Sequence, residues 1–409
     1  MRDAPRGAGD RAVSVTAGPG ADLVLPIDGR LHAHRLGEPG PWHRPTAPIT
    51  SRIAFAAAHV IPRVTADNTP GAPADLDWDA TLAYRRELWS YGLGVADAMD
   101  TAQRGMGMSW TATAELVRRS AAEANAAGGR IACGAGTDQL DLGVLPSGAA
   151  GLSAIGDAYR EQVDVVAGAG AQVVLMASRA LAAVARSAED YLAVYRTVLR
   201  EVDRPVILHW LGDVFDPALR GYWGSTDLGT ATDTFLQLIG EHAAVIDGVK
   251  VSLLDAQHEI ALRRALPPGV RLYTGDDFNY PELIVGDERG HSDALLGIFA
   301  AIYPAASTAL QALDAGDVDR AGAILESTRE LGRVVFEAPT YYYKTGIAFL
   351  SWLNGQQPGF AMVNGLASGR SVEHLSKVFV LADRAGLLRD PGLAAHRMRG
   401  YLDLNGVSA

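Results

Sequence analysis

The chain has 409 residues, of which 48% are apolar and 20% are charged, and its formal net charge is −11. This balance is typical of globular proteins, while the acidic excess argues against nucleic-acid binding, and the lack of any run of 18 apolar residues argues against a membrane span. The single cysteine, Cys133, excludes an intrachain disulfide and a zinc knuckle.

Residues 1–50 form an extension that is rich in Gly, Pro and His. It begins with charged residues and lacks the apolar segment of a secretory signal, so we expect a cytoplasmic protein. Two strand-like pieces, Ala12–Thr16 and Leu23–Ile27, and the turn signal Asp28-Gly29 predict a small hairpin that lies on the main body. The histidines of this extension are more typical of a surface than of a metal site.

From residue 51 to residue 303 short apolar runs alternate with helical patterns. Such runs are typical of parallel strands with both faces covered. Eight of them predict an α/β fold, the (β/α)8 TIM barrel. A doubly wound sheet is the alternative, but no G-x-G-x-x-G motif follows the first strand. The runs are Ile53–His59, Gly94–Asp100, Arg130–Gly136, Gln172–Ser178, Pro205–Trp210, Val245–Ser252, Arg271–Asp276 and Ala294–Ala301.

Residues 304–409 predict a helical region that packs against the flank or the end of the barrel. Gly316 and Asp317 give a helix C-cap followed by an N-cap, and so separate the first two helices. The expected helices are Ala305–Ala315, Val318–Phe336, Tyr342–Trp352 and one or two more within residues 370–402.

Lys250 is the most informative residue of the chain. Of 36 basic residues only three are lysines, Lys250, Lys344 and Lys377, and Lys250 lies in a segment that otherwise reads as a buried strand. Arginine keeps its proton in proteins, whereas a desolvated lysine can lose it and attack a carbonyl to form a Schiff base. The structural alternative is an ammonium at a strand end that reaches water.

Polar and ionisable residues follow the apolar runs at consecutive strand ends. The active sites of TIM barrels lie at the carboxyl ends of the strands, so we expect these side chains to share one face. Each also has a structural alternative: a hydrogen-bonded core histidine, a helix cap, a rim ion pair or, for Tyr341–Tyr343, packing with pocket lining as the less favoured role. The candidates are His59, Asp100, Thr101, Arg179, His209, Lys250, Ser252, Asp276 and Asp277.

The chain resembles the dihydrodipicolinate synthase and N-acetylneuraminate lyase superfamily of class I aldolases. Gly248-Val-Lys250 followed by Leu272-Tyr-Thr-Gly-Asp-Asp277 is similar to the family's G-[IV]-K strand and S-G-D-D strand end. Arg204–His209, Ile131–Gly136 and Phe336–Pro339 are similar to its LPVILYN, VIAGTG and FxEPNP segments. The resemblance covers about residues 51–355 and implies a (β/α)8 barrel with C-terminal helices, a Schiff-base lysine at Lys250 and a homo-oligomer.

The departures from the family concern its substrate-binding residues. His209 stands where the family has a strand-five tyrosine that relays protons, and Asp100-Thr101 stand where it has the threonine pair that holds the pyruvyl carboxylate. An aspartate there would repel a substrate carboxylate at close range. We therefore do not expect dihydrodipicolinate synthesis itself.

We predict a lyase in which Lys250 forms a Schiff base with a small carbonyl compound, a sugar-derived keto compound or a 2-keto acid. His209 would act as the base, while His59, Asp100, Thr101, Arg179, Ser252, Asp276 and Asp277 would bind the substrate. The expected reaction is C–C cleavage or formation, or loss of water, without a cofactor or metal. One alternative is a divalent-metal isomerase or hydrolase that uses His59, Asp100, His209 and Asp276. A non-catalytic sugar-sensing barrel is another.

Overall fold

The computed structural model describes residues 20–407, so the predicted Ala12–Thr16 strand lies outside the described residues. The second predicted piece is confirmed: β1 (Asp22–Ile27) pairs antiparallel with β2 (Arg30–Arg35). Asp28 and Gly29 connect them with φ values of 50° and 71°, as a two-residue hairpin turn requires.

Eight parallel strands close into a barrel in the order β10-β3-β4-β5-β6-β7-β8-β9. This confirms the predicted TIM barrel, and every predicted run overlaps one strand. Six of the eight runs extend past the end of their strand: the first strand ends two residues before His59, and the last run covers the end of a strand and the start of a helix. The strands are β3 (Ala54–Ala57), β4 (Gly94–Asp97), β5 (Ile131–Ala135), β6 (Gln172–Leu175), β7 (Val206–Leu211), β8 (Ile246–Ser252), β9 (Arg271–Thr274) and β10 (Asp293–Leu296).

Helices follow each barrel strand and cover its outer face. The barrel helices are α1 (Trp78–Ser90), α2 (Trp110–Ala127), α3 (Gly148–Gly168), α4 (Arg179–Val184), α5 (Ala188–Leu199), α6 (Leu228–His242), α7 (Ala256–Ala265), α8 (Tyr280–Val285) and α9 (Phe299–Asp314). The proposed division between barrel and helical region at residue 303 falls inside α9, so this boundary stays a prediction.

Five more helices complete the chain: α10 (Val318–Ser327), α11 (Arg329–Val335), α12 (Tyr343–Leu353), α13 (Val372–Arg384) and α14 (Pro391–Leu404). The prediction of one helix from Val318 to Phe336 was wrong, because the chain breaks at Thr328. There the Thr328 hydroxyl donates to the Leu325 carbonyl and also contacts the Tyr280 hydroxyl. A threonine side chain that bonds nearby backbone competes with the helical pattern.

Side chains alternate across the barrel strands, and this decides which residues face the barrel interior. A small interior cluster that includes Phe55, Ile207 and Tyr273 is separate from the larger core between strands and helices. On β8, Val249 and Val251 belong to the outer core. Because neighbours along a strand point to opposite faces, Lys250 and Ser252 point into the barrel.

A buried ion pair fixes the outer side of the first two barrel strands. Arg85 on α1 donates from Nε and Nη2 to both carboxylate oxygens of Asp97 on β4, each at 2.8 Å, and neither side chain is exposed. Arg85 also donates to the His59 carbonyl at 2.9 Å. Within residues 20–407, no helix combines the length and the apolar character that crossing a membrane demands.

Candidate functional site

Lys250 lies at the carboxyl end of the barrel, near the end of β8, and only 8% of the residue is exposed. Among the described residues no carboxylate oxygen lies within 4.0 Å of its Nζ. Burial lowers the pKa of Lys250 to about 8, although the carboxylates of Asp100 and Asp277 act in the opposite direction. The amine is therefore much closer to its nucleophilic form at neutral pH than an exposed lysine is.

A small cavity surrounds the Lys250 side chain. Its volume is about 20 Å³, which is room for about one water molecule. Gly275 makes this space possible, because a Cβ at that position would lie 2.1 Å from Ser252 Oγ and 2.9 Å from Lys250 Cε. We call this space the inner cavity; it is lined by Ala57, Met99, Asp100, Thr101, Leu211, Phe215, Lys250, Ser252, Asp277, Gly297, Phe336 and Tyr343.

Asp277 is the buried acid of the inner cavity. Its Oδ1 accepts a hydrogen bond from the Ile298 N–H at 2.7 Å, and only 3% of the residue is exposed. Burial raises the pKa of Asp277 to about 7, against the lowering effects of that hydrogen bond and of Lys250. A carboxyl group with such a pKa can both give and take a proton near neutral pH.

Tyr343 brings a hydroxyl from α12 into the inner cavity. The hydroxyl lies 2.7 Å from Thr101 Oγ1, and the ring stacks on Phe336 with a centroid separation of 4.3 Å. Burial raises the pKa of Tyr343, so the hydroxyl keeps its proton. The sequence favoured packing as the role of Tyr341–Tyr343. Nothing in the local sequence pattern indicated that Tyr343 would line the same cavity as Lys250.

Asp100 lines the inner cavity and two neighbouring spaces. A connecting cavity of about 20 Å³ lies beside Lys344, and an outer cavity of about 190 Å³ lies beyond it. Asp100 and Leu211 line all three. A substrate that reaches Lys250 through this passage would contact Asp100 on its way.

Arg179 lies at the outer cavity, and its guanidinium pairs with the Asp216 carboxylate. Arg104 lines the same cavity, but its guanidinium binds the Asp138 carboxylate and the carbonyls of Ala98 and Gly134. Both arginines are thus already paired with acids.

His209 lies next to Lys250 in the sheet but does not line the inner cavity among the described residues. Its Nε2 lies 3.2 Å from Ser252 Oγ. Burial, and then the nearby Lys250 ammonium, lower the pKa of His209 well below 6.5, which keeps the imidazole neutral. The geometry thus places the predicted base behind Ser252 rather than against a substrate.

The structure does not bring His59 and Asp276 to Lys250. The His59 Nε2 lies 3.0 Å from Gln357 Oε1, and its ring packs on Tyr84. Asp276 holds the turn before α8: its Oδ1 accepts from the N–H groups of Phe278 and Asn279, each at 2.9 Å. The N-cap of α8 is Asn279, so the sequence-based alternative of Asp276 as the helix cap was wrong.

The proposed metal set of His59, Asp100, His209 and Asp276 is therefore not assembled. His59, His209 and Asp276 are held by different partners, Gln357, Ser252 and the turn before α8, whereas Asp100 lines the inner cavity. Across residues 20–407, no three His, Cys, Asp or Glu side chains are grouped so as to hold a metal ion.

The family model for proteins of unknown function named DUF993 matches residues 23–407. The chain belongs to this family. The match covers the hairpin, the whole barrel and the C-terminal helices, so the family includes every element of the site. A comparison with curated proteins found no match.

Solved structures share the fold. Dihydrodipicolinate synthase from Aquifex aeolicus is 14% identical with a TM-score of 0.62, and the alignment covers 82% of this chain and 99% of that one. The 4-hydroxy-tetrahydrodipicolinate synthase from Methylacidiphilum fumariolicum SolV is 15% identical, with a TM-score of 0.61 and coverages of 82% and 95%. YagE from E. coli K12, solved with pyruvate, is 13% identical, with a TM-score of 0.60 and coverages of 87% and 99%. The predicted resemblance is confirmed, and at these identities it establishes the fold.

Proposed function

We propose that this protein is a lyase that forms a Schiff base between Lys250 and a carbonyl substrate. The observation that carries the proposal is a buried lysine that has no carboxylate within 4.0 Å among the described residues and lines a small cavity at the carboxyl end of a barrel strand. The position of Lys250 in the G-[IV]-K strand of the resembling superfamily supports the same role.

The first step is condensation. The neutral Lys250 amine attacks the carbonyl carbon, and a proton is delivered to the carbonyl oxygen, which leaves as water. The resulting protonated imine withdraws electrons, so that an adjacent C–C or C–H bond can break. Its electron pair moves into the imine and gives an enamine, while the departing fragment leaves as a carbonyl compound or the departing proton passes to a base. A proton or a second carbonyl compound then adds to the α-carbon and regenerates the imine, and hydrolysis by one water molecule releases the product and restores the amine.

Tyr343 and Asp277 are the residues that we assign to proton transfer. Both line the inner cavity with Lys250, and the pKa of Asp277 near 7 suits it to exchange protons at neutral pH. The Tyr343 hydroxyl can donate through its contact with Thr101. In this proposal Tyr343 supplies from α12 the hydroxyl that the superfamily carries on strand five.

His209 receives a positioning role instead of the role of base. Its neutral ring contacts Ser252, and Ser252 in turn lines the inner cavity. The imidazole thus orients a hydroxyl beside the lysine. Asp100 and Thr101 remain candidates for contact with substrate hydroxyls, because both line the inner cavity.

The test is reductive trapping with sodium borohydride in the presence of single carbonyl compounds: pyruvate, hydroxypyruvate, glyceraldehyde and glycolaldehyde. Intact mass is measured for the wild type and for Lys250→Met. At least one compound should add its reduced mass to the wild type and not to the variant. Equal labelling of both proteins by every compound that labels would refute the proposal, and so would the absence of labelling across an extended carbonyl panel.

A further inference from the structure

Lys344 is a second buried lysine of the site that the proposed reaction leaves without a role. It lies in the first turn of α12, and only 2% of it is exposed. Its Nζ lies 3.2 Å from Met106 Sδ and 5.1 Å from the centroid of the Tyr343 ring. No carboxylate oxygen of the described residues lies within 4.0 Å of this Nζ. Buried ammonium groups are ordinarily paired with an acid, and the Lys344 ammonium has no such partner among the described residues.

Of the four cations around the passage, the two arginines form ion pairs with acids, whereas Lys250 and Lys344 have no carboxylate oxygen of the described residues within 4.0 Å. Arg179 is paired with Asp216, as described above, and Arg104 is paired with Asp138. Of the acids that remain, Asp100 acts on both Lys250 and Lys344. Asp277 lines the inner cavity with Lys250, and burial raises its pKa. Asp216 also acts on Lys344, but its carboxylate is paired with Arg179. Lys344 therefore has no acid as a direct partner among the described residues.

The position of Lys344 relative to Lys250 indicates which part of a substrate could supply the acid that Lys344 lacks. Lys250 lines the inner cavity, whereas Lys344 lines the connecting cavity, and Asp100 and Tyr343 line both. The inner cavity holds little more than a carbonyl group. The remainder of a bound substrate therefore extends past Lys344 toward the outer cavity.

We propose that Lys344 binds an anionic group of the substrate, a carboxylate or a phosphate, that is separated by a carbon chain from the carbonyl that reacts with Lys250. This inference rests on the proposed function. It narrows the substrate class to carbonyl compounds with a remote acid group, in contrast to pyruvate, whose carboxylate is attached directly to its carbonyl. A charge-assisted hydrogen bond from the buried ammonium supplies the selectivity.

The test compares three aldehydes as probes: glyceraldehyde, which is neutral, glyceraldehyde 3-phosphate and succinic semialdehyde. Rates of cyanoborohydride trapping at Lys250 are measured for the wild type, Lys344→Gln, Lys344→Arg and the surface control Lys377→Gln. We expect at least one anionic aldehyde to label the wild type about tenfold faster than glyceraldehyde or more. The phosphate and carboxylate arms show which acid is preferred. The preference should vanish in Lys344→Gln and persist in Lys344→Arg and Lys377→Gln. The control Lys377→Gln should also leave the glyceraldehyde rate unchanged.

A preference that survives in Lys344→Gln would overturn the inference, and so would equal rates for all three aldehydes in the wild type. If no compound of the extended carbonyl panel labels the wild type, the proposed function fails on its own, and anion binding is judged separately. Inorganic phosphate and succinate should then raise the thermal midpoint of the wild type and not that of Lys344→Gln. No difference between the two proteins in that assay would overturn the anion site as well.

Discussion

Replacing Lys344 by methionine is expected to stabilise the protein at neutral pH. Burial lowers the pKa of Lys344 from 10.5 to about 8, so the folded state binds the proton less tightly than the unfolded chain does. At pH 7 this difference costs roughly 3 kcal/mol, because each tenfold change in proton affinity is worth about 1.4 kcal/mol. Methionine has a similar length and needs no partner for a charge, so the variant avoids this cost.

The cost depends on pH in a defined direction. Below pH 8 the amine is protonated in both states, and the full penalty is present. As the pH rises from 8 toward 10.5, the folded state loses its proton first, and the wild type recovers stability. We therefore expect the advantage of Lys344→Met to shrink by about 2 kcal/mol between pH 7 and pH 9.5.

The assay is urea unfolding of the wild type and Lys344→Met at both pH values. Lys377→Met is the matched control, because Lys377 is partly exposed and pairs with the exposed Asp28; its replacement should change the unfolding free energy by less than about 1 kcal/mol. If Lys344→Met is less stable than the wild type at pH 7, or if its advantage does not change with pH, the reasoning about an unpaired buried ammonium is wrong.

Three further outcomes follow from the site and its support. Tyr343→Phe should keep Lys250 trapping while turnover falls by about 10²-fold or more, because a positioned proton donor is lost; equal loss of both would show that Tyr343 is only structural. Asp277→Asn should lower the pKa of Lys250 further, since the Asp277 carboxylate stabilises the ammonium. The pH dependence of Lys250 carbamylation by cyanate measures this pKa, and an unchanged value would contradict the prediction. Arg85→Met should lower the unfolding free energy by about 3–5 kcal/mol because Asp97 is left buried without its partner, and urea unfolding measures this loss.

The fold could be predicted from the sequence because its signals are local. Each parallel strand is a short apolar run, and eight such runs between helices leave few other architectures. The errors in the predicted helix and strand boundaries also had local causes. Thr328 ends a helix through a side-chain hydrogen bond that periodicity does not register, and the apolar run at Ala294–Ala301 hid the point where strand gives way to helix.

The site was predictable only where its residues lie on or directly after strands. Lys250, Asp100, Thr101, Ser252 and Asp277 meet in one cavity as the strand-end argument requires. Other contributions depend on tertiary packing that the sequence does not encode in any short pattern. The C-terminal α12 folds back over the barrel mouth and delivers two polar side chains from outside the strands, Tyr343 and Lys344. The contacts of His59 with Gln357 and of His209 with Ser252 likewise could not be predicted from the sequence.

Reductive trapping followed by peptide mapping tests the central claim most directly. The chain has only three lysines, so the mass of a reduced carbonyl adduct can be assigned to a single residue. We predict that the adduct forms at Lys250 and that it is lost in Lys250→Met while Lys344 and Lys377 stay unmodified. An adduct that forms only at Lys344 or Lys377, or a yield that is unchanged in Lys250→Met, would contradict the account.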